Sequence, residues 1–115
     1  MSNLEDLQQK IIAFRDARDW SQFHTPKDLA IGLSLEAGEV LEHFLWKTPE
    51  EIKEYLSSHK EEIADEMGDV LNYLLIMAND FGIDLAEATD KKIDKNAQKY
   101  PVDKAKGRHT KYDQL

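Results

Sequence analysis

Two short acidic motifs, Glu36-Ala37-Gly38-Glu39 and Glu66-Met67-Gly68-Asp69, stand inside apolar runs, where carboxylates are least expected. On a helix, residues three apart project about 60° from one another on adjacent turns, so each motif aims a carboxylate pair the same way. Two such helices packed together would gather four carboxylates. Four negative charges in a half-buried groove cost too much to keep for packing alone, whereas hard divalent cations, which take oxygen ligands, neutralise them. The pattern predicts a metal site formed by Glu36, Glu39, Glu66 and Asp69. A lone E-x-x-E is common on solvated helix faces and carries little. The weight comes from two such pairs, each flanked by apolar residues and each containing a glycine.

Positioning these acids requires helices, and the sequence supplies them in order. Leu4, Leu7, Ile11, Ile12 and Phe14 follow helical spacing, predicting a first helix from Leu4 to about Arg18 with Ser2 or Asn3 as cap. Asp19–His24 has two aromatics, a histidine and no clear period, and reads as a structured loop. Thr25-Pro26 opens a second helix, threonine as N-cap and proline at the first position, predicted to run to about Trp46. Leu29, Leu33, Ala37, Val40, Leu41, Phe44 and Leu45 form its apolar stripe, with Glu36 and Glu39 at the margin and Glu42 and His43 continuing the polar side. Gly38 costs that helix about 1 kcal/mol relative to alanine, which points to close approach by another helix or a ligand. Thr48-Pro49 repeats the capping grammar and starts a short connector helix to about Ser58, a crossover between the acidic helices.

A fourth helix is predicted from His59–Glu61 to about Phe81, with Ile63, Met67, Val70, Leu71, Leu74, Leu75 and Ala78 inward and Gly82 as the stop. Beside that stripe Glu62, Glu66, Asp69 and Tyr73 fall in one line. Asp84-Leu85-Ala86-Glu87 resembles a capping box, opening a fifth helix that Tyr100-Pro101 ends and that carries the densest basic stretch, Lys91, Lys92, Lys95 and Lys99, with Asn96 among them. Residues 102–115 have no apolar period and read as an irregular tail. The expected fold is all-α, a bundle of four to five helices, with residues 1–115 as one domain.

Composition narrows the function. A chain of 115 residues is near the size at which oligomerisation supplies extra burial, so self-association is expected. Net charge is −8, with 23 acids against 15 bases, which excludes a general nucleic-acid surface; a phosphate ligand must arrive with a metal. There is no cysteine, hence no disulfide, thiolate zinc site or thiol nucleophile. No stretch approaches the roughly 18 apolar residues of a membrane span, and the charged N-terminal stretch makes a cytoplasmic protein the default. Taken singly, Trp20 and Trp46 read as packing residues, His24 as a structural or solvated loop histidine, Tyr73 as a core tyrosine and the lysines of the fifth helix as a solvated face.

Taken together, these residues resemble the MazG-like all-α nucleoside triphosphate pyrophosphohydrolases, in particular the small single-domain branch that includes dCTP pyrophosphatase. The family pattern is E-x-x-E, a spacer, then E-x-x-D; here Glu36 and Glu39 are followed by 26 intervening residues (40–65) and by Glu66 and Asp69. The stretches RDWSQFHTPKDL, LSLEAGEVLEHFLWK, EIADEMGDVLNYLL and KKIDKNAQKYP are similar to that branch in order and spacing. The resemblance implies that the four carboxylates hold magnesium, with manganese as a substitute, and that a (deoxy)nucleoside triphosphate, dCTP or a relative, is converted to the monophosphate and pyrophosphate in nucleotide-pool sanitation. It implies that Trp20, His24, Trp46 and Tyr73 enclose base and sugar, that Lys92, Asn96, Lys99 and Tyr100 lie near the phosphates, and that the chain forms a dimer, commonly doubled to a tetramer. Glu39 and Glu66 are the candidates for the catalytic base. The competing reading is a catalytically silent acidic helical protein that binds a nucleotide or a partner. Trp20 and Trp46 flank the second helix about 30 Å apart by the helical rise, so one chain cannot clamp one base with both unless a loop folds back.

Overall fold

The computed structural model describes residues 3–115, and among these every regular element is helical. The chain divides into two compact units, one ending at Gly82 and one spanning Ile83–Leu115.

The first unit holds four helices. α1 (Leu4–Ala17) starts at Asn3, whose side-chain oxygen accepts the Asp6 N–H at 2.8 Å. Ser2, the other candidate cap, lies outside the described residues. The expected loop follows: Asp19 takes φ 56°, a left-handed conformation that aspartate tolerates better than most residues, and leads into a 3₁₀ turn at Ser21–Phe23. α2 (Pro26–Glu42) is capped by Thr25, which accepts the Asp28 N–H at 3.1 Å.

α2 ends at Glu42, four residues short of the expected Trp46. Phe44 and Leu45 prolong the apolar period, yet both their N–H groups turn to the Leu41 carbonyl (2.9 and 3.2 Å), and Trp46 takes φ 65°. A bulky residue in left-handed backbone cannot continue a right-handed helix. α3 (Pro49–Ser58) opens with a complete capping box: Thr48 Oγ1 accepts the Glu51 N–H at 3.2 Å and Glu51 Oε1 accepts the Thr48 N–H at 3.0 Å. α4 (Lys60–Phe81) stops where expected, at Gly82 with φ 68°.

α4 is the centre of this unit; α2 packs along it most extensively, with α1 and α3 also against it. Leu29, Ile63, Leu75, Ile76 and Ala78 are buried. Burial is thus narrower than the predicted stripes, of which Leu41, Leu45 and Met67 stay exposed; Ile31 and Leu35, outside those stripes, are exposed too. α1 is pinned by polar contacts as well: buried Arg15 donates from Nη1 to both carboxylate oxygens of Asp80 (3.0 and 2.8 Å), and Gln8 Nε2 donates to the Leu75 carbonyl at 2.9 Å. Asp80 itself is exposed, so losing this contact costs less than the roughly 3–5 kcal/mol of a fully buried pair. The close approach expected at Gly38 occurs instead at Gly32, where a Cβ would lie 2.6 Å from Tyr73 Cζ; around Gly38 nothing stands within 4 Å of that position.

In the second unit, α5 (Leu85–Lys99) is capped by Asp84, which accepts the Glu87 N–H at 3.0 Å. Only this half of the capping box forms, because the Glu87 side chain pairs with Lys91 at 2.5 Å. The tail is more ordered than its missing period suggests: α6 (Val102–Ala105) makes one helical turn, and a 3₁₀ turn at Tyr112–Gln114 sets Tyr112 edge-on to Tyr100, ring centres 6.1 Å apart. No helix among the described residues is long and apolar enough to cross a membrane.

Candidate active site

The site requires that α2 and α4 lie side by side with their acidic margins facing. They pack along each other, and the charges register it. The Glu36 carboxyl is pushed above its ordinary value of 4.5, first by loss of water, then by a hydrogen bond and negative charge from Glu39 and by the charges of Asp69 and Glu66. All four predicted acids therefore share one field. Glu36 Oε2 is enclosed and has no hydrogen-bond partner.

A cavity of about 480 Å³ opens beside this acidic edge. Phe14, Trp20 and Tyr73 supply aromatic wall, Leu7, Ile11 and Ile76 aliphatic wall, and Glu36 and Asp69 stand at its polar side with His24 and Asn72. Phe14 and Trp20 meet edge to face, ring centres 5.8 Å apart, and the Arg18 guanidinium lies 3.6 Å from the Phe14 ring centre, which braces this wall. Tyr73 lies across Gly32 of α2, where any larger residue would push it away. His24 Nδ1 is enclosed without a partner. Two unsatisfied polar atoms, His24 Nδ1 and Glu36 Oε2, thus belong to residues lining one largely apolar cavity, and such atoms are costly unless a ligand satisfies them.

Of the residues singled out by sequence, Trp20, His24, Glu36, Asp69 and Tyr73 come together along this cavity. Trp46 does not line it; the side chain is 96% exposed on left-handed backbone. Lys92, Asn96, Lys99 and Tyr100 belong to the second unit, where Lys92 lines a shallow groove with Lys91, Lys95, Asp84 and Glu87, and Lys99 Nζ sits 4.8 Å from the Tyr112 ring centre.

His43, which the sequence places only on the polar side of the second helix, lies at the site as well. Its Nε2 pairs with Glu66 Oε2, and its Nδ1 lies 2.5 Å from the Tyr55 hydroxyl. The signal was present: Glu36, Glu39 and His43 fall at i, i+3 and i+7, on one helix face. Nothing in the order of residues pointed to Tyr55. Asn72 and Phe14 were likewise missed, since each reads as an ordinary helix residue.

The donor set suits a hard divalent cation, being all carboxylate oxygen with one oxygen unpartnered. Among the described residues no three His, Asp or Glu side chains are gathered tightly enough to make a finished cage.

The MazG-like family pattern matches residues 31–115. dCTP pyrophosphatase 1 of Mus musculus is 40% identical to the chain, and that of Homo sapiens 39%; each alignment covers 97% of this chain and 67% of the relative. A pyrophosphatase from Archaeoglobus fulgidus superposes with a TM-score of 0.81 at 40% identity, covering 88% of this chain and 94% of that one. With helices, acidic pairs and cavity in this arrangement, and likeness running through nearly the whole chain, the protein belongs to the MazG-like family.

Proposed function

We propose that this chain is a magnesium-dependent nucleoside triphosphate pyrophosphohydrolase, taking dCTP or a related deoxynucleotide to the monophosphate and pyrophosphate. The relatives named above support hydrolysis of a nucleoside triphosphate. One observation of the chain itself carries the reading: a single cavity joins an aromatic wall, suited to a base, to the Glu36–Asp69 edge, which repels a triphosphate unless cations intervene.

Glu36, Glu39, Glu66 and Asp69 would hold the magnesium, or manganese in its place; the cation supplies charge neutralisation, polarises a phosphoryl oxygen and lowers the pKa of water. The chain's own residues do the rest. Trp20 and Tyr73 enclose the base and sugar by stacking and packing, which tolerates any base, while His24 Nδ1 offers a hydrogen-bonding edge that can discriminate among them. Of the two candidate bases, Glu66 commits one oxygen to His43 and Glu39 is engaged with the Glu36 carboxyl, so both stay candidates for accepting a proton from water. Lys92, Asn96, Lys99 and Tyr100 are assigned to the phosphates, with N–H donors from lysine and asparagine. Residues 1–115 are proposed to act as one catalytic domain in a homo-oligomer, a dimer or a dimer of dimers. Sanitation of the cytoplasmic nucleotide pool is the role this chemistry fits.

The deciding experiment incubates the protein with a panel of triphosphates, with and without magnesium, and identifies the products. Monophosphate plus pyrophosphate, formed with magnesium and lost in Asp69→Ala without loss of helicity, is the expected result. No turnover of any triphosphate would favour the silent binding protein instead.

A further inference from the structure

His43 links three helices that are otherwise joined by apolar packing. It is the residue after α2; Tyr55 lies on α3 and Glu66 on α4, and the imidazole touches both, Nδ1 at 2.5 Å from the Tyr55 hydroxyl and Nε2 on Glu66 Oε2. The hydrogen-bonding roles follow from the partners. A carboxylate only accepts, so Nε2 must carry hydrogen and donate to Glu66; in a neutral ring Nδ1 is then an acceptor, and the phenol donates to it. Tyr55 is itself held in place: the His59 ring stacks on it at 4.0 Å with planes 5° apart, and Lys47 Nζ lies 4.4 Å from its ring centre. The His43 side chain is 12% exposed, enclosed enough that water competes poorly for these bonds.

From this geometry we propose that His43 and Tyr55 are positioning residues for Glu66, orienting its carboxylate for the cation while contacting neither cation nor nucleotide. The proposal rests on the four-carboxylate reading above. Holding Oε2 by an N–H restricts the carboxylate to one rotamer and leaves Oε1 as its donor, so the ordering entropy of a long glutamate side chain is spent in folding rather than in cation capture. α3 thereby acquires a part in the site beyond that of a connector. Partners of this kind, acting through a ligand, typically affect metal affinity ten- to a hundredfold.

The test is calorimetric titration of manganese alone into the intact protein, with the nucleotide left out. Tyr55→Phe removes one hydroxyl and keeps the ring stacked, so it is expected to weaken manganese binding several-fold. His43→Leu is expected to weaken it about ten- to a hundredfold, and His43→Gln, whose amide can still donate to Glu66, to recover part of the loss. Nitrogen NMR of the His43 ring in the metal-free protein supplies a readout independent of metal: Nε2 should carry hydrogen, and a ring with Nε2 bare overturns the assignment. Wild-type affinity in both Tyr55→Phe and His43→Leu, or tighter binding, which would make His43 a competitor of the cation, overturns the proposal while leaving the four-carboxylate site standing. No manganese binding by the wild type would remove that site and the proposal with it.

Discussion

At the scale of single residues, Glu36 carries a cost that its surroundings do not relieve. Its Oε2 is enclosed without a partner, and loss of water together with Glu39, Asp69 and Glu66 raises its pKa above 4.5. The sign of the stability effect follows. An acid whose folded-state pKa is raised is penalised while ionised, so the penalty is complete above that raised value and fades as pH falls through it toward the ordinary 4.5. Glu36→Gln, which keeps the shape and removes the charge, should therefore raise the melting temperature of the metal-free protein at neutral pH, and the gain should shrink on acidification toward 4.5. Thermal melts in chelator at a series of pH values measure this. An advantage independent of pH would mean that the glutamine acts through packing. In saturating magnesium the same substitution should lower stability relative to wild type, since it removes a proposed ligand and with it the linkage between binding and folding.

At the scale of elements, the two glycines of α2 make opposite predictions. A Cβ at Gly32 would fall 2.6 Å from Tyr73 Cζ and 2.7 Å from its hydroxyl, so Gly32→Ala must displace a ring that walls the cavity. Overpacking of about 1–3 kcal/mol then outweighs or cancels the roughly 1 kcal/mol gained in helix propensity, and the nucleotide KM should rise. Gly38→Ala meets nothing within 4 Å in the single chain and should stabilise it by up to about 1 kcal/mol. Denaturant titration of both variants, with steady-state kinetics on the first, separates them. The same contrast shows what the sequence disclosed. Helix starts at Asn3, Thr25, Thr48 and Asp84 and the stop at Gly82 were readable because a cap is a local hydrogen bond between residues three apart or a single special φ. The end of α2 was not, because Phe44 and Leu45 continue the apolar period past the point where the backbone turns. Spacing alone singled out the acidic pairs, of which Glu36 and Asp69 line the cavity. The Gly32–Tyr73 contact and the His43 link to Tyr55 and Glu66 join residues far apart in the chain, and no local pattern announces such pairs.

At the scale of the whole molecule, the exposed apolar residues call for a partner. Leu35 is 65% and Met67 59% exposed, and Ile31 and Leu41 are also exposed, on the two helices that carry the acidic motifs. Trp46 is more extreme, 96% exposed and held at φ 65°, a backbone conformation that costs a bulky side chain of order 1–3 kcal/mol. A tryptophan presented outward at that cost, while Trp20 lines the cavity of its own chain, fits a second wall supplied to a neighbouring subunit. Stacking of a base on tryptophan is worth roughly 1–3 kcal/mol, so Trp46→Ala should raise KM about ten- to a hundredfold with little change in kcat, whereas Glu39→Ala should lower kcat. Light scattering at micromolar concentration should report an oligomer. Co-folding Trp46→Ala with Glu39→Ala subunits then gives the decisive comparison, made at substrate well below the wild-type KM, where the first variant is nearly silent. In a pocket shared between chains, the Trp46→Ala subunit keeps its carboxylates and receives an intact tryptophan from its Glu39→Ala neighbour, so each mixed pair contains one complete site and activity exceeds the sum of the two variants measured apart. Activity no greater than that sum would confine each pocket to a single chain and leave the exposure of Trp46 without a role in catalysis.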